Sequence, residues 1–299
     1  MEGKQLVSII VCSYNHEKYI KECLDSIKTQ TYPNIQLIVA DDASPDNSAK
    51  TFENWLKENN YPAKTNFHKK NTGLSAMLNE CIELVEGNFI KIIAADDFLH
   101  PESIEKCVTK LEKLGNEYGM VFTDTFAINE SSDIIADVAD YNVTGNVEPL
   151  VFRQEMIKGN RIAALTVVMR TNAVKETGKY DSKLIVEDYY RWLKINEKYL
   201  ICYIPEKLAY YRMHAENISK TKIERMNIEF AMLQTMFDKN GTVRNKINGF
   251  IQERYIAKKE IPKEFFMVYK NYPFNVKRLV FCIQYNIPPR IYKIVSKFI

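Results

Sequence analysis

Short apolar runs alternate along this chain with longer stretches in which apolar positions recur at helical spacing. Leu6-Val-Ser-Ile-Ile-Val-Cys12 is almost continuously apolar and β-branched, which predicts a buried strand. Ile20, Cys23, Leu24 and Ile27 then share one helical face and predict a helix from Glu17 to about Gln30, broken at Tyr32-Pro33-Asn34. The pair recurs. Ile35–Ala40 reads as a strand ending on Asp41-Asp42, and Asp46-Asn47-Ser48 opens a helix through Asn59. A short strand near Lys64–His68 leads to Asn71-Thr72-Gly73, then a helix over Leu74–Glu86 that Gly87 ends. Phe89–Ala95 is a further strand ending on Asp96-Asp97, Pro101 starts another helix, and Met120–Thr123 is again a strand. Strands separated by helices at this spacing predict βαβ units and a mostly parallel α/β sheet flanked by helices.

The second half is less regular. Residues 129–149 are polar and read as a loop. A helix near Leu150–Lys158, a strand Ala164–Arg170, helices over Asn172–Thr177 and Glu187–Glu197, and two short strands, Leu200–Ile204 and Leu208–Arg212, follow. Beyond Ser219 the pattern is helical, cut by Pro262, Pro273 and Pro288-Pro289 into four or five helices.

In open parallel sheets, ligands bind beyond the carboxyl ends of the strands. Tyr14, Asp42 and Asp96-Asp97 all fall there. Two adjacent carboxylates at the mouth of a buried strand are costly unless something positive binds them, and a divalent cation with a phosphorylated ligand does so. The turn after the first strand, Ser13-Tyr-Asn-His16, has no glycine, and no phosphate-cradling glycine loop appears elsewhere. A bound diphosphate would therefore be met by metal and side chains. Each residue also has a plainer reading: Tyr14 as packing, Asp41-Asp42 as turn caps, Glu187-Asp188 as the acidic first turn of a helix.

Val7-Ser-Ile-Ile-Val-Cys-Ser-Tyr-Asn15, Ser26–Pro33, Asp41-Asp-Ala-Ser44, Asn71-Thr-Gly73, Ala95-Asp-Asp97 and Glu187-Asp188 occur in the order seen in family 2 glycosyltransferases, which the chain resembles over residues 5–219. The resemblance implies a GT-A fold and an inverting transferase that uses a nucleotide diphosphate sugar, with a nucleotide half at about 1–125, an acceptor half at about 126–219 and a helical region over 220–299. It implies that Tyr14 flanks the nucleobase, that Asp42 accepts the imide N–H of uracil, and that Asp96 lies near the ribose. Cys12, Asn71 and Gly73 complete the nucleotide set. Asp97 would ligate Mn²⁺ or Mg²⁺, and Asp188 would be the general base, with Glu187 and Arg191 on the acceptor side. The stretch Tyr210–Ser219 also resembles one in that family, which implies that His214 ligates the metal or contacts the diphosphate and that Arg212 offsets phosphate charge. Departures are Cys12 for a usual Pro or Thr, Ala43 for a common Gly, and Ala94 where many members have Asp. The implied partners are a nucleotide-sugar donor and a saccharide or lipid-linked acceptor, in bacterial surface polysaccharide synthesis. A glycoside hydrolase or a non-catalytic nucleotide- or sugar-binding module are the alternatives. Paired carboxylates also serve hydrolases, but adjacency suits a cation better.

The chain has 299 residues, 46% hydrophobic and 26% charged, with net charge +3, which argues against a nucleic-acid partner. The charge is unevenly spread: residues 244–299 hold twelve Lys/Arg and three Glu, leaving a net −6 elsewhere. Val276, Leu279, Val280, Ile283 and Ile287, then Ile291, Ile294, Val295 and Phe298, form apolar faces flanked by Lys277, Arg278, Arg290, Lys293 and Lys297. Such a tail suits an anionic membrane surface, or else packs as a subdomain or homodimer face. Six cysteines without a C-x-x-C pair read as reduced core thiols. With no signal peptide or membrane-length apolar run, the expected location is cytoplasmic, peripheral on the inner membrane face at most.

Overall fold

The computed structural model describes residues 3–135, 146–215 and 218–295. Eight strands form one sheet: β1 (Val7–Ser13), β2 (Ile35–Asp41), β3 (Ala63–Phe67), β4 (Phe89–Ala94), β5 (Phe98–Leu99), β6 (Tyr118–Ile128), β7 (Val168–Arg170) and β8 (Leu200–Arg212). Their order is β3-β2-β1-β4-β7-β6-β8-β5. β1, β2, β3 and β4 are mutually parallel, as are β6 and β8; β7 runs antiparallel to β4 and β6, and β5 to β8. The helices of this part are α1 (Ile20–Lys28), α2 (Ser48–Asn59), α3 (Leu74–Glu83), α4 (Ser103–Leu114), α5 (Pro149–Glu155), α6 (Thr171–Glu176) and α7 (Glu187–Lys198).

β1 is buried at every position, as a strand covered on both faces must be. α1 turns Ile20, Cys23, Leu24 and Ile27 inward, where they join Phe52 and Trp55 of α2 and Ile104, Cys107, Val108 and Leu111 of α4 in the core. Truncating one such residue, Leu24→Ala, would cost about 2–5 kcal/mol. Several elements differ from the sequence expectation, among them β5, which was not expected, and β6, expected only over Met120–Thr123. α1 starts at Ile20, after a turn over 16–19. The Ala164–Thr166 segment is a 3₁₀ turn, leaving β7 three residues long. β8 is one thirteen-residue strand rather than two, because register shifts opposite Thr123–Phe126 absorb Pro205 without ending the ladder.

The chain divides into two compact units, residues 1–153 with 161–217, and 154–160 with 218–299. The second contains α8 (Ile218–Thr221), α9 (Ile223–Phe237), α10 (Arg244–Ile256), α11 (Lys263–Asn271), α12 (Lys277–Gln284) and α13 (Pro289–Val295). It has a core of its own around Leu233, Ile247, Ile251, Phe265, Tyr269 and Leu279, all fully buried. Asp238 ties it together, accepting from Thr242 and Val243 N–H and from the Tyr272 hydroxyl. Leu279, Val280 and Tyr292 are buried, whereas Phe281, Tyr285 and Ile291 are exposed beside exposed Lys277, Arg278 and Arg290. The side chains of Lys293, Ile294 and Val295, and all of Lys297 and Phe298, lie outside the described residues. Five cysteines are buried and Cys282, on α12, is partly exposed; none is disulfide-bonded. No described helix is long and apolar enough to cross a membrane.

Candidate active site

Register brings the strand ends together. Ser13 lies opposite Asp41, and Cys12 lies opposite both Ala40 and Ala94. Tyr14, Asp42 and Asp96 therefore sit just past the ends of three neighbouring parallel strands. Tyr14 is half exposed. Cys12 is buried; burial first, and then the charges of Cys81, Glu187, Cys23 and Asp42, push its thiol well up. The turn after β1 is fastened to the turn after β2. Asn15, at φ 64°, donates its N–H to Ser44 Oγ, His16 N–H donates to Ser48 Oγ and Glu17 N–H to Asp46 Oδ2, each within 3.0 Å. Asp41 caps its own turn, taking the Ser44 N–H at 2.9 Å and hydroxyl at 2.5 Å. Ala43 holds φ 57° there, a left-handed conformation that favours the glycine common at this place.

Asp42 is enclosed by the 68–73 loop. Its Oδ1 accepts from Thr72 N–H at 2.8 Å, Thr72 Oγ1 at 3.2 Å and His68 Nδ1 at 2.8 Å; its Oδ2 accepts from Gly73 N–H at 2.7 Å. Burial alone would raise this carboxyl, but the Thr72, His68 and Gly73 donors outweigh it and hold it below the usual range. His68 also pairs through Nε2 with Glu80 Oε2 at 2.8 Å, and the two acids raise its pKa against the opposing effect of burial. Gly73, at φ +89°, begins α3; Asn71 is exposed.

Asp96 and Asp97 have opposite surroundings. Asp96 Oδ2 meets His214 Nε2 at 2.9 Å and lies 3.7 Å from His16 Nε2, while Oδ1 is buried without a hydrogen-bond partner among the described residues. Asp97 accepts the Arg212 N–H at 2.8 Å; burial, then the charge of Asp96, pushes its carboxyl well up. Donor atoms of His16, Asp96 and His214 lie within 4.8 Å of one another. Two imidazoles, a carboxylate and an orphaned buried oxygen form a donor set that fits a divalent cation. Asp97, expected as the metal ligand, is not in that cluster, because its carboxyl faces the backbone of β8. Arg212 is spent too. Its guanidinium donates to the carbonyls of Asp96, Asn129 and Glu130, pairs with Glu22 and lies 4.4 Å over the Tyr19 ring. It braces the doublet rather than reaching for phosphate. Beneath, the Lys91 amine is buried against the Leu165 carbonyl and is lowered to about 8 by burial.

Across the strand ends, α3 fixes the segment that leads into α7. Asn79 exchanges two hydrogen bonds with the backbone of Tyr180, and Ser75 donates to the Leu184 carbonyl. Glu187 and Asp188 form the first turn of α7, where the helix dipole favours negative charge. Both are partly exposed, and Asp188 Oδ1 accepts the Tyr189 N–H. Arg191, expected on the acceptor side, is wholly buried. It donates to Val174 O, Thr177 Oγ1 and Gly178 O and stacks 4.1 Å from the Tyr180 ring, so it holds the loop before α7.

Sequence reasoning passed over His16, His68 and Lys91. The signal was present for two of them: the chain has only four histidines, and three of them, His16, His68 and His214, contact these carboxylates.

Residues 8–178 match the Glycosyl transferase family 2 pattern, more than half of the chain. The chain belongs to glycosyl transferase family 2. An uncharacterized glycosyltransferase of Haemophilus influenzae is 32% identical over 247 residues, covering 77% of this chain and 75% of its own length. One from Rickettsia felis is 30% identical over 78% of this chain, but only 38% of its own length is matched, and Escherichia coli chondroitin synthase is 26% identical with 30% matched. Among solved structures, S. aureus TarS in complex with UDP-GlcNAc aligns with TM-score 0.68 and 17% identity over 92% of this chain and 82% of that one. The Pyrobaculum calidifontis mannosyltransferase PcManGT, in complex with GDP-Man and Mn²⁺, aligns with TM-score 0.54 and 13% identity over 99% of this chain and 80% of that one. Both likenesses establish the GT-A-type fold of this family 2 member.

Proposed function

We propose that this glycosyltransferase inverts configuration while moving a sugar from UDP to a hydroxyl of a saccharide or lipid-linked acceptor. The observation that carries this reading is the convergence at three adjacent strand ends of a half-exposed tyrosine, a preformed carboxylate nest and a carboxylate with one oxygen unpartnered among the described residues. Tyr14 stacks on the base. Asp42 reads it. Three of the four donors crowd Oδ1, and among the described residues Oδ2 takes only the Gly73 N–H, so the second lone pair of Oδ2 is left for a uracil imide N–H. Fold neighbours solved with UDP-GlcNAc and with GDP-Man leave the base open; the acceptor-only chemistry of Asp42 favours a base with a ring N–H, such as uracil, over cytosine, and the donor screen separates uracil from guanine and thymine.

His214 and Asp96 would hold the divalent cation, which neutralises charge growing on the departing diphosphate. Asp97 and Arg212 position Asp96. Asp188 takes the proton of the acceptor hydroxyl, whose oxygen attacks the anomeric carbon opposite the leaving group. One displacement inverts the centre. The likeness to chondroitin synthase supports a saccharide acceptor in surface polysaccharide synthesis. The exposed basic and aromatic face of α12 and α13 supports work at the inner membrane surface.

The test is a screen of UDP-, GDP- and dTDP-sugars for donor hydrolysis with Mn²⁺, Mg²⁺ or EDTA. UDP-sugar turnover that EDTA stops is expected. Turnover confined to a GDP or dTDP donor, or to a plain glycoside, would overturn the reading.

A further inference from the structure

The geometry points to His16 as a third ligand of the cation site, making it a two-imidazole, one-carboxylate site that takes Mn²⁺ in preference to Mg²⁺. This rests on the proposed cation role of Asp96 and His214, and adds a residue and a selectivity to it. The first ground is distance. His16 Nε2 stands 3.7 Å from Asp96 Oδ2, too far for a hydrogen bond. Ligand atoms that share a cation at about 2.1–2.2 Å lie roughly 3–4.4 Å apart, and this spacing falls inside that range. The separation to His214 Nε2, 2.9 Å from the same oxygen, lies close to its lower edge.

The second ground is unsatisfied polarity. Asp96 is 7% exposed, yet among the described residues its Oδ1 has no partner. Orphaned buried polar atoms are uncommon and ask for a ligand. One on the carboxylate that two imidazoles approach marks a prepared site.

The third ground is placement. His16 is held by its backbone: its N–H donates to Ser48 Oγ, and its carbonyl accepts from Tyr19 and Ile20 N–H. The ring is therefore presented from a fixed turn. β4 ends on Ala94, whose methyl group offers no donor, so the turn after β1 supplies what the strand does not.

Donor chemistry sets the selectivity. Mg²⁺ prefers hard oxygen ligands in a strict octahedron, whereas imidazole suits transition ions. The test uses the full chain without nucleotide. Mn²⁺ binding is followed by the electron paramagnetic resonance signal of free Mn²⁺, and Mg²⁺ by competition. Wild type is expected to bind Mn²⁺ tighter than Mg²⁺. His16→Asn should weaken Mn²⁺ binding by about tenfold or more, since even outer-shell partners of metal ligands cost that much. His16→Asp should recover binding with the preference moved toward Mg²⁺. Thermal melts of each variant check folding. Wild-type Mn²⁺ affinity in a folded His16→Asn variant, or an unchanged Mn²⁺/Mg²⁺ ratio in both variants, overturns the inference. Asp96→Ala separates the two levels. If it abolishes Mn²⁺ binding while His16→Asn does not, His16 alone is wrong; if it leaves Mn²⁺ binding intact, the cation reading itself fails.

Discussion

Asp42 and Asp96 flank the same strand end from opposite sides, and their surroundings are opposite. Asp42 has committed most of its accepting capacity to four donors of the 68–73 loop. Among the described residues, Asp96 keeps one buried oxygen idle and gathers two imidazoles around the other. On the proposed function, the Asp42 end would be shaped for a base before anything binds, while the Asp96 end would be completed by a cation and diphosphate.

The largest effect should come from outside this contrast and serve as its control. Asp188→Asn is expected to lower kcat by roughly 10²–10⁴, the usual contribution of a positioned general base, with the Kd for UDP unchanged. A variant that turns over normally at saturating acceptor puts the base elsewhere. Next, Asp96→Ala should remove the difference between UDP affinities measured by calorimetry with Mn²⁺ and with EDTA, a difference of about ten- to a hundredfold. Asp97→Asn should keep metal dependence, because its contact is with the β8 backbone; loss of that dependence would return the ligand role to Asp97. At the other end, Asp42→Asn should cost roughly 1–3 kcal/mol of UDP binding whether or not metal is present. A metal-dependent loss there would erase the distinction between the two ends.

The smallest expected effect is on pH. The raised His68 contributes stability that is fully present below about pH 6.5 and is lost as pH rises through its higher folded pKa. The depressed Asp42 contributes stability that is present above about pH 4 and is lost as pH falls through its folded pKa. The loop is therefore best locked between these limits. Melting temperature measured from within this range upward should decline as pH rises past about 6.5 in wild type and decline less in His68→Ala; equal slopes would remove His68 from the lock.

Side-by-side strand ends were legible from period and length alone, because an almost continuously apolar strand such as β1 admits one environment. The direction of each carboxylate was not. Asp96 and Asp97 are neighbours, and which one meets the histidines depends on Arg212, 115 residues further on, whose N–H claims Asp97. The same holds for Arg191: the family resemblance put it on the acceptor side, and only the packing of Tyr180 and Gly178 shows it facing inward. The two short strands expected over Leu200–Ile204 and Leu208–Arg212 are one, because bulges in the pairing with β6 accommodate Pro205 between them.

The cysteines have a practical consequence. Five are sealed in the interior, with thiols at Cys12, Cys23, Cys81, Cys107 and Cys202 all pushed up by burial and so slow to form thiolate. Cys282 remains, one residue from Phe281 on the exposed basic and aromatic face of α12. Native protein treated briefly with a polarity-sensitive maleimide dye should label there first, without any engineered change. The dye's emission on adding anionic vesicles then reports directly on whether that face enters the lipid headgroup layer.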